Sequence, residues 1–141
     1  MSKISSWLYL AGVLMGWAYS QSTCKQLIPK CRDESMQDYS WDGRYWRAEL
    51  YNNETSKFYC TFFSGLRYRL IPCGYSSTQQ RPNLRIYNAN SVLILDTGKQ
   101  SETNRNYWDL ELSTTQLFLL ELYYTSGEGC ATLLIGHRTP Q

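Results

Sequence analysis

Asp38-Tyr39-Ser40-Trp41-Asp42-Gly43-Arg44-Tyr45-Trp46 brings four aromatic rings, two carboxylates at its start and centre, and a guanidinium into one short stretch. Aromatic faces stack on sugar rings, and a neighbouring Asp or Arg can hydrogen-bond hydroxyls. Tyr and Trp are equally at home in protein interfaces. Trp41, Tyr45 and Trp46 are therefore the candidate ligand-binding residues. The competing reading is that these rings close the bottom of a small β-sandwich as the N-terminal segment packs there. With 12 Tyr, 5 Trp and 4 Phe making up 15% of the chain, aromatic surface is abundant for either role.

Catalytic sets are not evident. His137 is the only histidine, and it is expected in a tail after the last strand. No G-x-S-x-G elbow accompanies it, so a Ser-His-Asp set has no support. Asp109 and Glu111 would share one strand face about 7 Å apart. A glycosidase needs two carboxylates, but any exposed strand face offers that spacing. A Gly-rich phosphate loop is missing. Asp38, Asp42, Asp96 and Asp109 could lie on loops or strand ends and hold Ca²⁺, as β-sandwich sites do, but the sequence alone does not tell whether they meet. No metal and no cofactor is expected, and the chain is read as a non-enzyme.

The five cysteines, Cys24, Cys31, Cys60, Cys73 and Cys130, contain no C-x-x-C, which removes redox and zinc-ribbon readings. Two disulfides and one spare thiol are expected if the chain is exported. Taking Ser64-Gly65 as a two-residue hairpin turn sets Cys60 opposite Arg69, leaving Cys73 about 13 Å further along. Cys60–Cys73 is thereby excluded. Cys73 ends one strand and Cys130 starts the last, so Cys73–Cys130 is the predicted main bridge. Cys24 and Cys31 would sit about 10 Å apart on a continuous helix. Their pairing as the second bridge requires Pro29 to break that helix. Cys60 is then the free thiol.

Export is read from the N-terminus. Lys3 precedes an uncharged run, Trp7 to Tyr19, and Ala18-Tyr19-Ser20 offers small residues to a signal peptidase. The run is too short to span a bilayer comfortably, since that takes about 20 apolar residues. Residues 1–20 are thus expected to be a signal peptide, with no membrane insertion after cleavage. Removing them takes one base and no acid, so the formal charge falls from +2 to +1. Near neutrality gives no electrostatic case for nucleic acid or anionic membrane. Arg67, Arg69, Arg81 and Arg85 cluster in sequence, as solvated strand faces also do. Asn53-Glu54-Thr55 matches a glycosylation sequon, relevant only in a eukaryotic secretory pathway.

The elements that would position these groups are short strands. Residues 21–45 form an N-terminal segment with helical turns around Cys24 to Gln37. From Trp46 the period becomes two: Trp46, Ala48 and Leu50 alternate with charged or polar residues. Phe58–Phe63 and Leu66–Leu70 read as a hairpin around Ser64-Gly65. Leu84–Tyr87, an apolar and hence central Val92–Leu95, Trp108–Leu112, Leu117–Tyr124 and Ala131–Ile135 follow. Residues 74–82 and 96–106 are loops. About eight antiparallel strands at this spacing predict an all-β domain over 46–137, a β-sandwich or jelly roll. Trp46, Leu50, Tyr68, Leu70, Ile86, Trp108, Leu110, Phe118, Leu120, Leu122, Leu133 and Ile135 are the expected core.

Three stretches carry a family resemblance. Phe62-Phe63-Ser64-Gly65-Leu66-Arg67-Tyr68-Arg69-Leu70 resembles a motif of aromatic, Gly, then Tyr-Arg-Ile. Ser91-Val92-Leu93-Ile94-Leu95-Asp96 resembles a V-L-Y-D-N segment, from which Leu95 and Thr97 depart. Gly129-Cys130-Ala131-Thr132-Leu133-Leu134-Ile135-Gly136-His137-Arg138-Thr139-Pro140 resembles a G-C-V-x-V-L-I-x-H-x-x-T-P ending. These are features of small exported proteins of Bacteroidetes-type bacteria. The resemblance implies location and fold, and carries over no catalytic residue.

The expectation is a secreted or periplasmic β-sandwich with a structural or protein-binding role. The alternative is a carbohydrate-binding module, with a hydrolase as the third and least favoured reading, so the expected partner is a protein or a surface glycan.

Overall fold

The computed structural model describes residues 24–99 and 105–140. The expected signal peptide and its cleavage site lie outside them. Helix α1 (residues 24–35) is followed by β1 (Tyr45–Leu50), β2 (Thr55–Phe62), β3 (Arg67–Gly74), β4 (Asn83–Tyr87), β5 (Leu93–Asp96), a 3₁₀ turn (Thr97–Lys99), β6 (Trp108–Glu111), β7 (Gln116–Tyr123) and β8 (Gly129–Arg138). Two four-stranded antiparallel sheets result, ordered β1-β8-β3-β6 and β2-β7-β4-β5. That order is a jelly roll.

Alternation drives this arrangement. Phe118, Leu120 and Leu122 on β7, Leu84 and Ile86 on β4, and Leu70 and Leu133 across β3 and β8 all point between the sheets and are buried. The expected core holds for most positions, with Leu110 and Ile135 half-buried against it. Trp46 remains 40% exposed because it sits on edge strand β1. Trp108 is half-buried and lines a separate polar pocket of about 330 Å³ with Pro72, Arg81 and Asn83.

The outer face of the first sheet is covered too. Cys24, Ile28, Cys31 and Ser35 recur at helical spacing and face it. Ile28, Met36 and Tyr39 pack on Ile71, Cys73 and Leu134, which buries β3 on both sides. Arg69 locks this layer. It donates to both Asp109 oxygens at 2.8 and 2.9 Å and to the Ser35 carbonyl at 3.0 Å. Its guanidinium lies 4.2 Å from the Tyr39 ring centre and 3.8 Å from that of Tyr107.

Several expectations are corrected. Phe58–Leu70 is not a hairpin: β2 pairs with β7 and β3 with β6 and β8, so Ser64-Gly65 carries the chain from one sheet to the other. Within this strand order only β4–β5 joins sequential neighbours of one sheet. β5 is an edge strand, not a central one, and its apolar Leu93 and Ile94 are exposed. His137 belongs to β8 and bridges to Ser40, outside any tail.

The same four cysteines are bridged, but as Cys24–Cys130 and Cys31–Cys73, with Cys60 free. The predicted Cys73–Cys130 and Cys24–Cys31 pairs do not form. Cys73 pairs in register with Thr132, so Cys130 is a diagonal neighbour on the same sheet face. Diagonal positions sit about 7–8 Å apart, beyond disulfide reach. The helix continues through Pro29. Cys24 and Cys31 therefore stay two turns apart on one helical face, and each reaches down to a different strand.

Candidate functional site

β1 and β2 are consecutive yet lie in opposite sheets, so together they form one open edge of the sandwich. Their inward residues meet there. Trp46 stacks on Phe58 with ring centroids 4.3 Å apart, and its Nε1 donates to Ser56 Oγ at 3.2 Å. This stack pins the sheets at one level. Beyond it the edge opens, because β1 begins at Tyr45, paired with Leu134, while β8 runs on to Arg138. Residues 41–44 loop away from β8 between that pair and the Ser40–His137 bridge, leaving a cleft of about 560 Å³. Leu133, Ile135 and Tyr68 line it from one sheet, Phe58 and Cys60 from the other, and Phe63 and Leu66 from the crossing turn.

Asp42, Arg44 and His137 stand at the mouth. The loop that carries the first two is self-braced. Asp42 accepts the Arg44 backbone N–H and its Nε, both at 2.9 Å, and Trp41 Nε1 donates to the Arg44 carbonyl at 2.8 Å. The Arg44 backbone N–H first, then its guanidinium, hold the Asp42 carboxyl below the usual carboxylate range. The mouth therefore presents a closed ion pair over an apolar interior. Cys60 is half-buried in the wall, and burial pushes its thiol pKa up, which keeps it an un-ionised thiol.

Of the three candidate binding residues, the structure brings Tyr45 and Trp46 to the cleft. Trp41 turns the other way and packs half-buried beside Met36 and Tyr39. One face of Trp46 is occupied by Phe58, so the three rings do not make a common platform. Phe58, Phe63 and Leu66 were not singled out from the sequence. They come together only because the chain changes sheet at Ser64-Gly65, a jump that period-two patterning does not register.

The other chemical candidates are dispersed. Asp109 and Glu111 face Arg69 and Arg67 across β3–β6, and each forms an ion pair there. Asp38 pairs with Arg138, and Asp96 with Arg85. Arg67 and Arg69 lie on one sheet and Arg85 on the other, so the basic cluster in sequence is not a surface patch. Among the described residues no group of three His, Cys, Asp or Glu is placed to hold a metal ion. No helix among them is long and apolar enough to cross a membrane.

No protein-family model matches this chain, and no curated protein matches it. Among solved structures it is similar to Aeromonas hydrophila PliG, a periplasmic lysozyme inhibitor of g-type lysozyme. That likeness has 11% identity and a TM-score of 0.50, over 67% of this chain and 85% of the other. It also resembles the pre-peptidase C-terminal domain of a Bacillus anthracis collagenase, with 11% identity and a TM-score of 0.45 over 65% and 87%. The first likeness is one of fold.

Proposed function

We propose that this chain is an exported, non-enzymatic β-sandwich whose open β1/β2 edge receives an apolar anchor from a protein partner. The cleft carries the reading. It is aromatic-walled, opens at a sheet edge, and falls within the roughly 300–1,000 Å³ typical of binding pockets. Its ionisable Asp42, Arg44 and His137 sit at the rim, the layout of an interface hot spot surrounded by polar contacts. The two carboxylates nearest to a catalytic pattern, Asp109 and Glu111, each pair with an arginine. Two disulfides support a compartment outside the cytosol. A lysozyme inhibitor built on a similar sandwich offers a fold-level precedent for protein binding, and no more. The glycan alternative is weaker on this geometry, since Trp41 is turned away and Trp46 is half covered.

Site-specific photo-cross-linking tests it. A photoreactive phenylalanine replaces Phe63 in the chain produced by its own cells, with the same group at Tyr75 as control. The expected result is one protein adduct specific to position 63. The purified partner should then bind the wild type roughly tenfold more tightly than Phe63→Ser. No adduct at 63, together with glycan-array binding that depends on Tyr45, would replace this reading with the carbohydrate one.

A further inference from the structure

The other edge of the sandwich is framed by β6 and β5. There β6 begins at Trp108, paired with Leu70, while β3 runs on through Pro72 to Gly74. The polar pocket of about 330 Å³ opens at this step, at the edge opposite the cleft, and no described residue lines both. Trp108 and Pro72 give it an apolar wall. Another side is a fixed hydrogen-bonded chain. Asn83 donates to Thr125 Oγ1 at 2.7 Å, Thr97 Oγ1 donates to Asn83 Oδ1 at 3.2 Å, and the Leu84 N–H donates to Thr97 Oγ1 at 2.9 Å. Three further lining side chains are unengaged. Among the described residues the side-chain amides of Gln80 and Asn106 have no hydrogen-bond partner. Arg81 lies 5.8 Å from the Tyr75 ring centre, and no described carboxylate pairs with it. Arg105 adds a second guanidinium to the lining. No Asp or Glu among the described residues lines the pocket. The two acids adjacent in sequence to its lining turn away from it: Asp96 is taken by Arg85 and the Tyr123 hydroxyl, and Asp109 by Arg69.

We propose that this pocket binds a small sugar acid, a single ring carrying hydroxyls and one carboxylate. Arg81 sets the charge. A guanidinium without a carboxylate of its own is a planar fork that takes one through two parallel bonds. With no acid on the described lining, the pocket favours a negative ligand over a neutral or positive one. Gln80 and Asn106 set the hydroxyls. Each amide offers both donors and an acceptor, and a hydroxyl answers both, whereas a bare inorganic anion such as sulfate only accepts. The volume sets the size, since it lies at the small end of ligand pockets and suits one ring rather than a chain. Trp108 and Pro72 cover the C–H side of such a ring. The chain through Thr125, Asn83 and Thr97 holds its wall in place before the ligand arrives, which lowers the cost of ordering the site.

Calorimetric titration of the purified disulfide-bonded chain with glucuronate, galacturonate and N-acetylneuraminate tests this, with glucose and inorganic sulfate as comparators. At least one of the acids is expected to bind at one site per chain, roughly tenfold or more tighter than glucose or sulfate, and to weaken as salt rises. Arg81→Gln should weaken that binding roughly tenfold or more with the urea midpoint unchanged, because a charge-assisted pair is lost. Phe63→Ser, in the cleft, should leave it as it is. No binding of any of the three acids overturns the proposal, as does glucose binding equally well or binding that survives Arg81→Gln. Sulfate competing as well as the acid would reduce the pocket to an anion hole and overturn it. Loss of binding in Phe63→Ser would place the ligand in the cleft and overturn it too.

Discussion

Trp46 of β1 lies flat on Phe58 of β2, with planes inclined by 16°, although the two rings belong to opposite sheets. Neither strand has a second hydrogen-bonded neighbour at this edge, so side chains must hold the sheets together there.

Trp46→Leu and Phe58→Leu should therefore be coupled. A double-mutant cycle read by urea unfolding is expected to give about 0.5–1.5 kcal/mol of interaction beyond the two single losses. Additivity within the experimental error would mean the stack contributes only buried area.

Non-reducing peptide mapping should return Cys24–Cys130 and Cys31–Cys73, with Cys60 alkylated. Replacing Cys31 and Cys73 together by serine should cost roughly 2–4 kcal/mol. A mapped Cys24–Cys31 peptide would require the helix to break at Pro29 and would contradict the packing of α1 on β3 and β8.

The Tyr123–Asp96–Arg85 cluster makes stability depend on pH at both extremes. Burial raises the Tyr123 pKa to about 12, and its bond to Asp96 adds to the rise. The folded state thus keeps a proton that the unfolded chain releases near pH 10. The stabilisation is fully present below that value and is lost as pH rises towards 12. Burial acts to raise the Asp96 pKa, but the bonds from Tyr123, Arg85 and the Gly98 N–H outweigh it and bring the pKa down. Its contribution is present above the ordinary carboxylate range and falls away as pH drops through the lowered value. Urea midpoints of Tyr123→Phe should fall less steeply than wild type between pH 10 and 12. Parallel curves would show that Tyr123 does not titrate with folding.

The strands and most of the core were legible in the sequence because alternation is local. Phe118, Leu120 and Leu122 show it on a long strand, and even a run as short as Leu84–Tyr87 shows it. What was not legible is which strands face each other. A jelly roll pairs β1 with β8 and β2 with β7, so Ser64-Gly65, a plausible hairpin turn by composition, serves as a crossing between sheets. The disulfide error follows from the same source. Cys73 and Cys130 do end and start adjacent strands, but register sets them two residues out of line. Val92–Leu95 looked buried by hydropathy, yet its Leu93 and Ile94 lie on an edge. The binding region was half legible: Tyr45 and Trp46 reach the cleft, whereas Phe63 and Leu66 join it only through the fold.

The nesting of Cys31–Cys73 inside Cys24–Cys130 has a consequence for biosynthesis. In an exported chain Cys24 and Cys31 emerge first and Cys130 last. An oxidant joining thiols in order of appearance would close Cys24 on Cys31 and Cys60 on Cys73, stranding Cys130. The native pairs are reached only if α1 stays reduced until β3 and β8 have arrived, or if wrong pairs are exchanged by thiolate attack. Production of this chain should thus need a disulfide isomerase in addition to the oxidant that takes up the thiol electrons. Once the sheets close, half-burial in the cleft wall raises the Cys60 pKa and so slows further exchange by the spare thiol.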